Sequence, residues 1–211
     1  IYPQAITYIP EAAPKIRQLL DQHGFSGTEA HLNEWNYMRA TAWNAENHLA
    51  SGGMEGASFD AATLCLMQDL PIDVANFYWG KEGWWGLFDC WGRPQKNYYS
   101  FLAFARMLDT PERVLAEGGM PALGRTALAG MNAEKSLARI MVANHKDSSA
   151  ETLLDIQGLP WKGRIRIRKE SVDQNHNLEQ SRMEWAGGPN FSLRDILPEQ
   201  SVALYTLSPD N

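Results

Sequence analysis

The pattern of the chain changes near Gly118-Gly119 and Pro121, and that change limits the fold more than any other feature. Upstream, helical and extended stretches alternate. Over residues 14–23, Ile16, Leu19 and Leu20 recur at helical spacing, and Gly24 supplies a left-handed stop. Residues 28–35 read as a strand, because Ala30 and Leu32 alternate with Glu29, His31 and Asn33. Residues 37–57, with Gly52, Gly53 and Gly56, read as a long loop with room for a short helix, and long loops in compact domains are usually functional. A second helix is expected over 58–69, with Phe59, Ala62 and Leu66 on one face and Pro71 closing it. A second strand over 74–79, a loop rich in Gly and Trp, and a third helix over 97–108 follow. Strands this far apart cannot be hairpins, so they should be parallel and joined by right-handed crossovers. Two or three such units do not close a barrel.

Downstream, short extended runs are separated by turn residues, at 127–131, 136–144, 152–157, 163–171, 191–193 and 201–207. The run Arg164-Ile-Arg-Ile-Arg168 is the cleanest: strict alternation buries Ile165 and Ile167 and leaves three arginines in water. An antiparallel β-sandwich of about seven strands or fewer is the expectation. The division falls between residues 1–117, the α/β part, and residues 118–211, the all-β part.

Charge and composition remove several functions. The formal net charge is −6 and the cations are scattered, so no surface is built to track phosphates, and nucleic acid is excluded as a partner. No run approaches the roughly 18 apolar residues of a membrane-spanning helix, so no membrane is expected either. Cys65 and Cys90 form no disulfide framework and no metal-ligand spacing. Eight Trp and seven Tyr are a heavy aromatic load, which serves core packing and also suits a cleft whose rings stack on sugar faces. The chain opens at Ile1 without an initiator Met or a leader pattern, and so reads as a fragment or a processed product.

The residues that carry chemistry centre on Glu34, a carboxylate at the C-terminal end of an expected parallel strand, where barrel enzymes place their active sites. Trp35 and Asn36 flank it, suited to wall a pocket and to bond a polyhydroxylated ligand. The segment His31-Leu-Asn-Glu-Trp-Asn-Tyr37 resembles the nucleophile strand of glycoside hydrolase family 39. The resemblance continues through Ala61-Ala-Thr-Leu-Cys-Leu-Met-Gln-Asp-Leu-Pro-Ile-Asp73, Ala75-Asn-Phe-Tyr-Trp-Gly80, Gly86-Leu-Phe-Asp89 and Arg93-Pro-Gln-Lys-Asn-Tyr-Tyr-Ser-Phe101. It spans about residues 1–110, and the sandwich resembles the family's accessory domain more loosely.

That resemblance implies the C-terminal portion of a (β/α)₈ TIM barrel followed by an antiparallel β-sandwich. It implies a retaining β-glycosidase, of β-xylosidase type, in which Glu34 attacks the anomeric carbon. Trp79 would floor the sugar subsite, Tyr2 would match an aromatic contact near the end of the sixth strand, and Trp84, beside Trp85, would offer a sugar platform. Core packing competes as a role for Trp79, and a hinge packed on the sandwich competes for the Trp84–Trp85 pair. His31 is either a donor to Glu34 or a histidine satisfied in the core; the strand parity sets it opposite Glu34. Asp89 and Glu82 are read as solvated or loop-capping rather than catalytic.

Retention needs a second carboxyl group about 5 Å from the nucleophile. In the family it ends the fourth strand in an Asn-Glu pair, and Asn33-Glu34 is the only such pair in these residues. The expected partners are therefore a glycoside or oligosaccharide substrate and the missing N-terminal barrel half, on the same or a separate chain. No metal or organic cofactor is implied. The alternative is a non-catalytic carbohydrate-binding or scaffold protein derived from a glycosidase.

Overall fold

A computed structural model of the chain describes residues 6–39, 44–148 and 151–210. Helix α1 (Tyr8–Gln22) leads to strand β1 (His31–Trp35), then to helices α2 (Ala45–Gly52) and α3 (Met54–Met67), strand β2 (Val74–Phe77) and helix α4 (Lys96–Ala105), which a 3-10 turn (Arg106–Asp109) extends. Strands β1 and β2 pair in parallel, as two strands separated by a helical crossover should.

Eight strands follow: β3 (Glu112–Val114), β4 (Arg125–Met131), β5 (Ala138–Asn144), β6 (Glu151–Ile156), β7 (Arg164–Val172), β8 (Asn177–Gly187), β9 (Phe191–Ile196) and β10 (Ser201–Pro209). Six of them form one antiparallel sheet in the order β3-β4-β5-β10-β7-β8, and β6 pairs with β9 in a second sheet. The large sheet is covered on both faces. Along β10, Val202 and Leu204 enter the cluster shared with α3 and α4, while Ala203, Tyr205 and Leu207 enter the cluster beneath β6 and β9. The period-two geometry of a strand thus divides one apolar run between two cores.

Helix α3 is the centre of the molecule. It is buried on nearly every side, from Ala57, Phe59, Ala61 and Ala62 to Leu64 and Met67, because α2, α4 and strands β4, β5 and β10 of the large sheet pack on it and Trp35 of β1 meets Leu64 and Met67. Such a helix is apolar all round instead of carrying a stripe. It nevertheless buries Asp60, whose carboxyl is raised well above its ordinary range by loss of water alone.

Several elements differ from expectation. Helix α1 starts earlier and runs through Pro14, and its supposed core face is exposed, with Ile16 at 52 % and Leu19 at 55 %. Of that helix only Ala13 is buried, because little of the described chain packs on it. The glycine-rich stretch read as loop contains α2, capped by Asn44, whose side chain accepts from the Asn47 amide at 2.9 Å. Strand β8, the longest, is an edge strand with a mostly exposed face, and its charges hide the strand pattern. Ile165 and Ile167 are buried and Arg164 and Arg166 exposed, as the alternation requires.

Candidate active site

Pairing between β1 and β2 slips once. His31 faces Val74 and Leu32 faces Ala75, but Trp35 faces Phe77, so three steps on β1 match two on β2. This bulge reverses the side-chain parity. Leu32 and Trp35, which strict alternation would place on opposite faces, both pack with Leu64, Met67, Phe77 and Phe101 under α3 and α4. Asn33 and Glu34 fall in the slipped step and are exposed.

Trp35 therefore does not wall a pocket. It is 3 % exposed, its ring stacked at 6.0 Å on Phe101 and edge-on at 5.1 Å to Phe77. Its task is to fix the strand from behind. Asn36 spends both its amide hydrogens within the chain: its Nδ2 donates to the carbonyl oxygens of Tyr78 and Trp85, and its Oδ1 accepts from the Tyr37 amide at 2.6 Å. It clamps the loop that follows β2 onto the tip of β1. Tyr37 is buried against Phe59 and His145, and its hydroxyl donates to Glu55, so burial and that carboxylate push its pKa up.

His31 fits neither expected role. It is the first residue of β1, about 10 Å of strand from Glu34, and its Nε2 meets Glu29 Oε2 at 2.8 Å on the exposed surface. Tyr2 lies outside the described residues. Asp89 caps its own loop: its carboxylate accepts from the amides of Trp91 and Arg93 and from Arg93 Nε at 2.7 Å. Partial desolvation pulls its pKa up, but the Arg93 and Trp91 donors outweigh it and hold the group low.

Beyond β2 the chain builds an aromatic hollow of about 380 Å³, lined by Tyr78, Trp79, Gly83, Trp84 and Trp85. Tyr78 and Trp79 stack at 4.9 Å, and Lys81 Nζ sits 4.5 Å over the Trp79 ring. Gly83, at φ +128°, lies flat against the Trp79 indole, where a Cβ would come within 3.5 Å. The indole Nε1 of Trp79 is buried and has no partner among the described residues. The loop is braced from below: Gly86 is buried so tightly that a Cβ would fall 1.9 Å from the Lys81 carbonyl oxygen, and Gln95 Nε2 donates to the Gly86 carbonyl at 2.8 Å.

The hollow and Glu34 belong to the same end of the two parallel strands, joined by Asn36 and by the Tyr78 amide donating to the Trp35 carbonyl at 2.9 Å. Larger hollows exist on the sandwich side, about 490 Å³ beside Asp69 and Arg125 and about 740 Å³ beside Arg182 and Asp195. In them Arg125 pairs with Asp147 at 2.5 Å and Asp195 with the neighbouring Lys169 at 2.7 Å, and neither hollow is lined by the strand tips. The aromatic hollow is therefore the better candidate despite its smaller size.

His48 and Ser51, both on α2, contact this loop and were invisible while 37–57 read as loop. Asn44 immediately ahead of Ala45-Glu46 is the capping pattern that could have revealed their helix.

No protein-family model matches the chain, and no curated protein matches it in sequence. Solved structures do match. A glucosidase from Croceicoccus marinus superimposes with TM-score 0.82 at 22 % identity over 100 % of this chain and 51 % of its own. A GH39 enzyme from Xanthomonas axonopodis pv. citri gives TM-score 0.70 at 10 % identity, covering 97 % of this chain and 49 % of its own. A monomeric beta-xylosidase from Caulobacter crescentus CB15 gives 0.71 at 10 %, covering 98 % and 50 %. The chain has the fold of part of these glycosidases and spans about half their length.

Proposed function

We propose that this chain is the nucleophile-bearing half of a retaining β-glycosidase whose (β/α)₈ barrel is completed by a further half, on the same or a separate chain. The observation that carries the reading is the position of Glu34: exposed, in the slipped step of β1, at the strand end to which Asn36 ties the aromatic loop. The attack of Glu34 on the anomeric carbon forms a glycosyl ester as the leaving oxygen takes a proton from a second carboxyl group; water then releases the sugar with net retention. That second group would come from the other half, since Asp89 is committed to its own loop.

Two further observations support a completing half. Val74, Ala75 and Asn76 of β2 are exposed, although a parallel strand is normally covered on both faces. The apolar side of α1 is equally open. The test is hydrolysis of aryl β-xylosides and β-glucosides by this chain alone and by a protein that joins it to a matching upstream half. Turnover should require the joined protein and vanish with Glu34→Gln. Turnover by this chain alone, or in Glu34→Gln, would falsify the reading.

A further inference from the structure

Strict alternation along β7 puts Arg164, Arg166 and Arg168 on one face of the large sheet, and the pairing with β10 makes it the face on which the helices sit. Val172 of β7 and Val202 and Leu204 of β10 share that face and belong to the cluster under α3 and α4. The helices cover only part of it. Helix α4 ends at Ala105, and in the 3-10 turn beyond it Arg106 meets Glu170 at 2.6 Å. Toward the start of β7 the face opens to solvent, where Arg164 and Arg166 are exposed. On β8 alongside, Met183 lies opposite Arg168 and Trp185 opposite Arg166, and both remain open, Trp185 at 48 %.

Alternate residues of a strand are about 7 Å apart, so three guanidinium groups stand in a row on one side. The carboxylates near them are too few to match. Glu170 is shared between Arg106 and Arg168, the latter at 3.2 Å; Arg164 has Asp210 at 3.5 Å; Arg166 meets only the Ser208 hydroxyl, at 3.5 Å, among the described residues. Strand register thus gathers positive charge on one face of a chain whose net charge is −6. Like charges in a row repel each other unless an anion lies among them. The Arg164 guanidinium also sits 4.7 Å over the Trp185 ring, which holds that half-open indole beside the row.

We infer that this open face of the sandwich binds an acidic polysaccharide, its uronic acid carboxylates on Arg164, Arg166 and Arg168 and one sugar ring against Trp185. The guanidinium fork matches a carboxylate in two parallel bonds, and an aromatic face matches the C–H side of a pyranose. An acidic peptide would satisfy the arginines and leave the indole without a purpose. The inference goes beyond the glycosidase reading and does not depend on it, since it uses neither Glu34 nor a completing half.

The test is calorimetric titration of the full 211-residue chain at low ionic strength with tetragalacturonate, xylotetraose and tetraglutamate. Tetragalacturonate should bind at least roughly tenfold more tightly than either of the others. Arg166→Ala should weaken that binding about fivefold, and Arg166→Lys should recover only part of the loss, because an ammonium keeps the charge without the fork. Trp185→Ala should weaken it by a similar factor through the lost ring. Arg194→Ala is the control, an exposed arginine on β9 in the other sheet, and should bind as the parent does. The inference is overturned if tetragalacturonate fails to bind the parent, or if Arg166→Ala and Trp185→Ala bind it as the control does. Equal binding of xylotetraose would remove the role of charge, and equal binding of tetraglutamate would reassign the face to an acidic protein segment; either result overturns it as well.

Discussion

The side-chain amide of Asn36 donates to the main-chain carbonyl of Trp85 at 2.9 Å, so the residue two places beyond Glu34 fastens the aromatic loop to the strand that bears the carboxylate. Both amide hydrogens are used, the second on the Tyr78 carbonyl. Asn36→Ala leaves two half-buried acceptors without their donor, a loss of about 1–3 kcal/mol. Denaturant unfolding should show that loss, and the tryptophan emission of the native chain should shift to the red as the loop loosens. Unchanged stability and emission would mean the clamp is dispensable.

Glu34→Gln should behave in the opposite way. The side chain is exposed, so thermal stability should stay within about 0.5 kcal/mol of the parent. Turnover by the protein completed with its other half should fall by a factor on the order of a thousand or more, as when a nucleophile is removed. A drop in stability with preserved activity would assign Glu34 to structure.

His145 joins the sandwich to the helical layer and makes that joint sensitive to acid. Its ring is buried against Tyr37 and Phe59, with Nδ1 3.0 Å from Ser58 Oγ. Burial, aided by the charge of Lys146 and opposed by a bond to the Glu55 backbone, pushes its pKa down to about 4 from 6.5. The unfolded chain thus binds this proton more readily than the folded one. The contribution is complete above pH 6.5 and is lost as the pH falls toward about 4. A shift of that size corresponds to roughly 3 kcal/mol. Unfolding free energies between pH 4 and 7 should therefore fall more steeply with acid in the parent than in His145→Asn, and parallel curves would contradict the assignment.

Gly86→Ala would set a methyl group against the Lys81 carbonyl, a backbone atom that cannot turn aside. The loop must shift, at a loss of about 1–3 kcal/mol. Calorimetry should record it, and oligosaccharide binding should weaken in parallel because Trp84 and Trp85 immediately precede this position. An alanine tolerated without either effect would show that the loop path is looser than its packing suggests.

Much of the architecture is legible in the sequence because it rests on period. Ile165 and Ile167 declare their buried face, and the switch from helical spacing to short alternating runs announces two layers. Position 34 could be placed at a strand end for the same reason. The roles around it could not. Strict alternation assigns Trp35 and Leu32 to opposite faces, and only the slipped pairing with Phe77 unites them. Asn36 carries the chemistry of a sugar ligand, but its hydrogen bonds run to carbonyls more than forty residues away, a distance no local pattern reports. Ile16 and Leu19 show the converse: the periodicity of α1 is real, and the surface that would cover it is not among the described residues. The charges of β8 hide a strand that pairs with β7 along its length and buries little beyond Leu178.

Strand β10, last of the described strands in chain order, lies between β5 and β7 and supplies side chains to two clusters at once. Order in either cluster depends on the same strand, which ties the helical layer to the sandwich. During synthesis that strand arrives late. Helix α3 leaves the ribosome long before the strand whose Val202 and Leu204 complete its seat, and until then it needs some other shelter for its apolar sides.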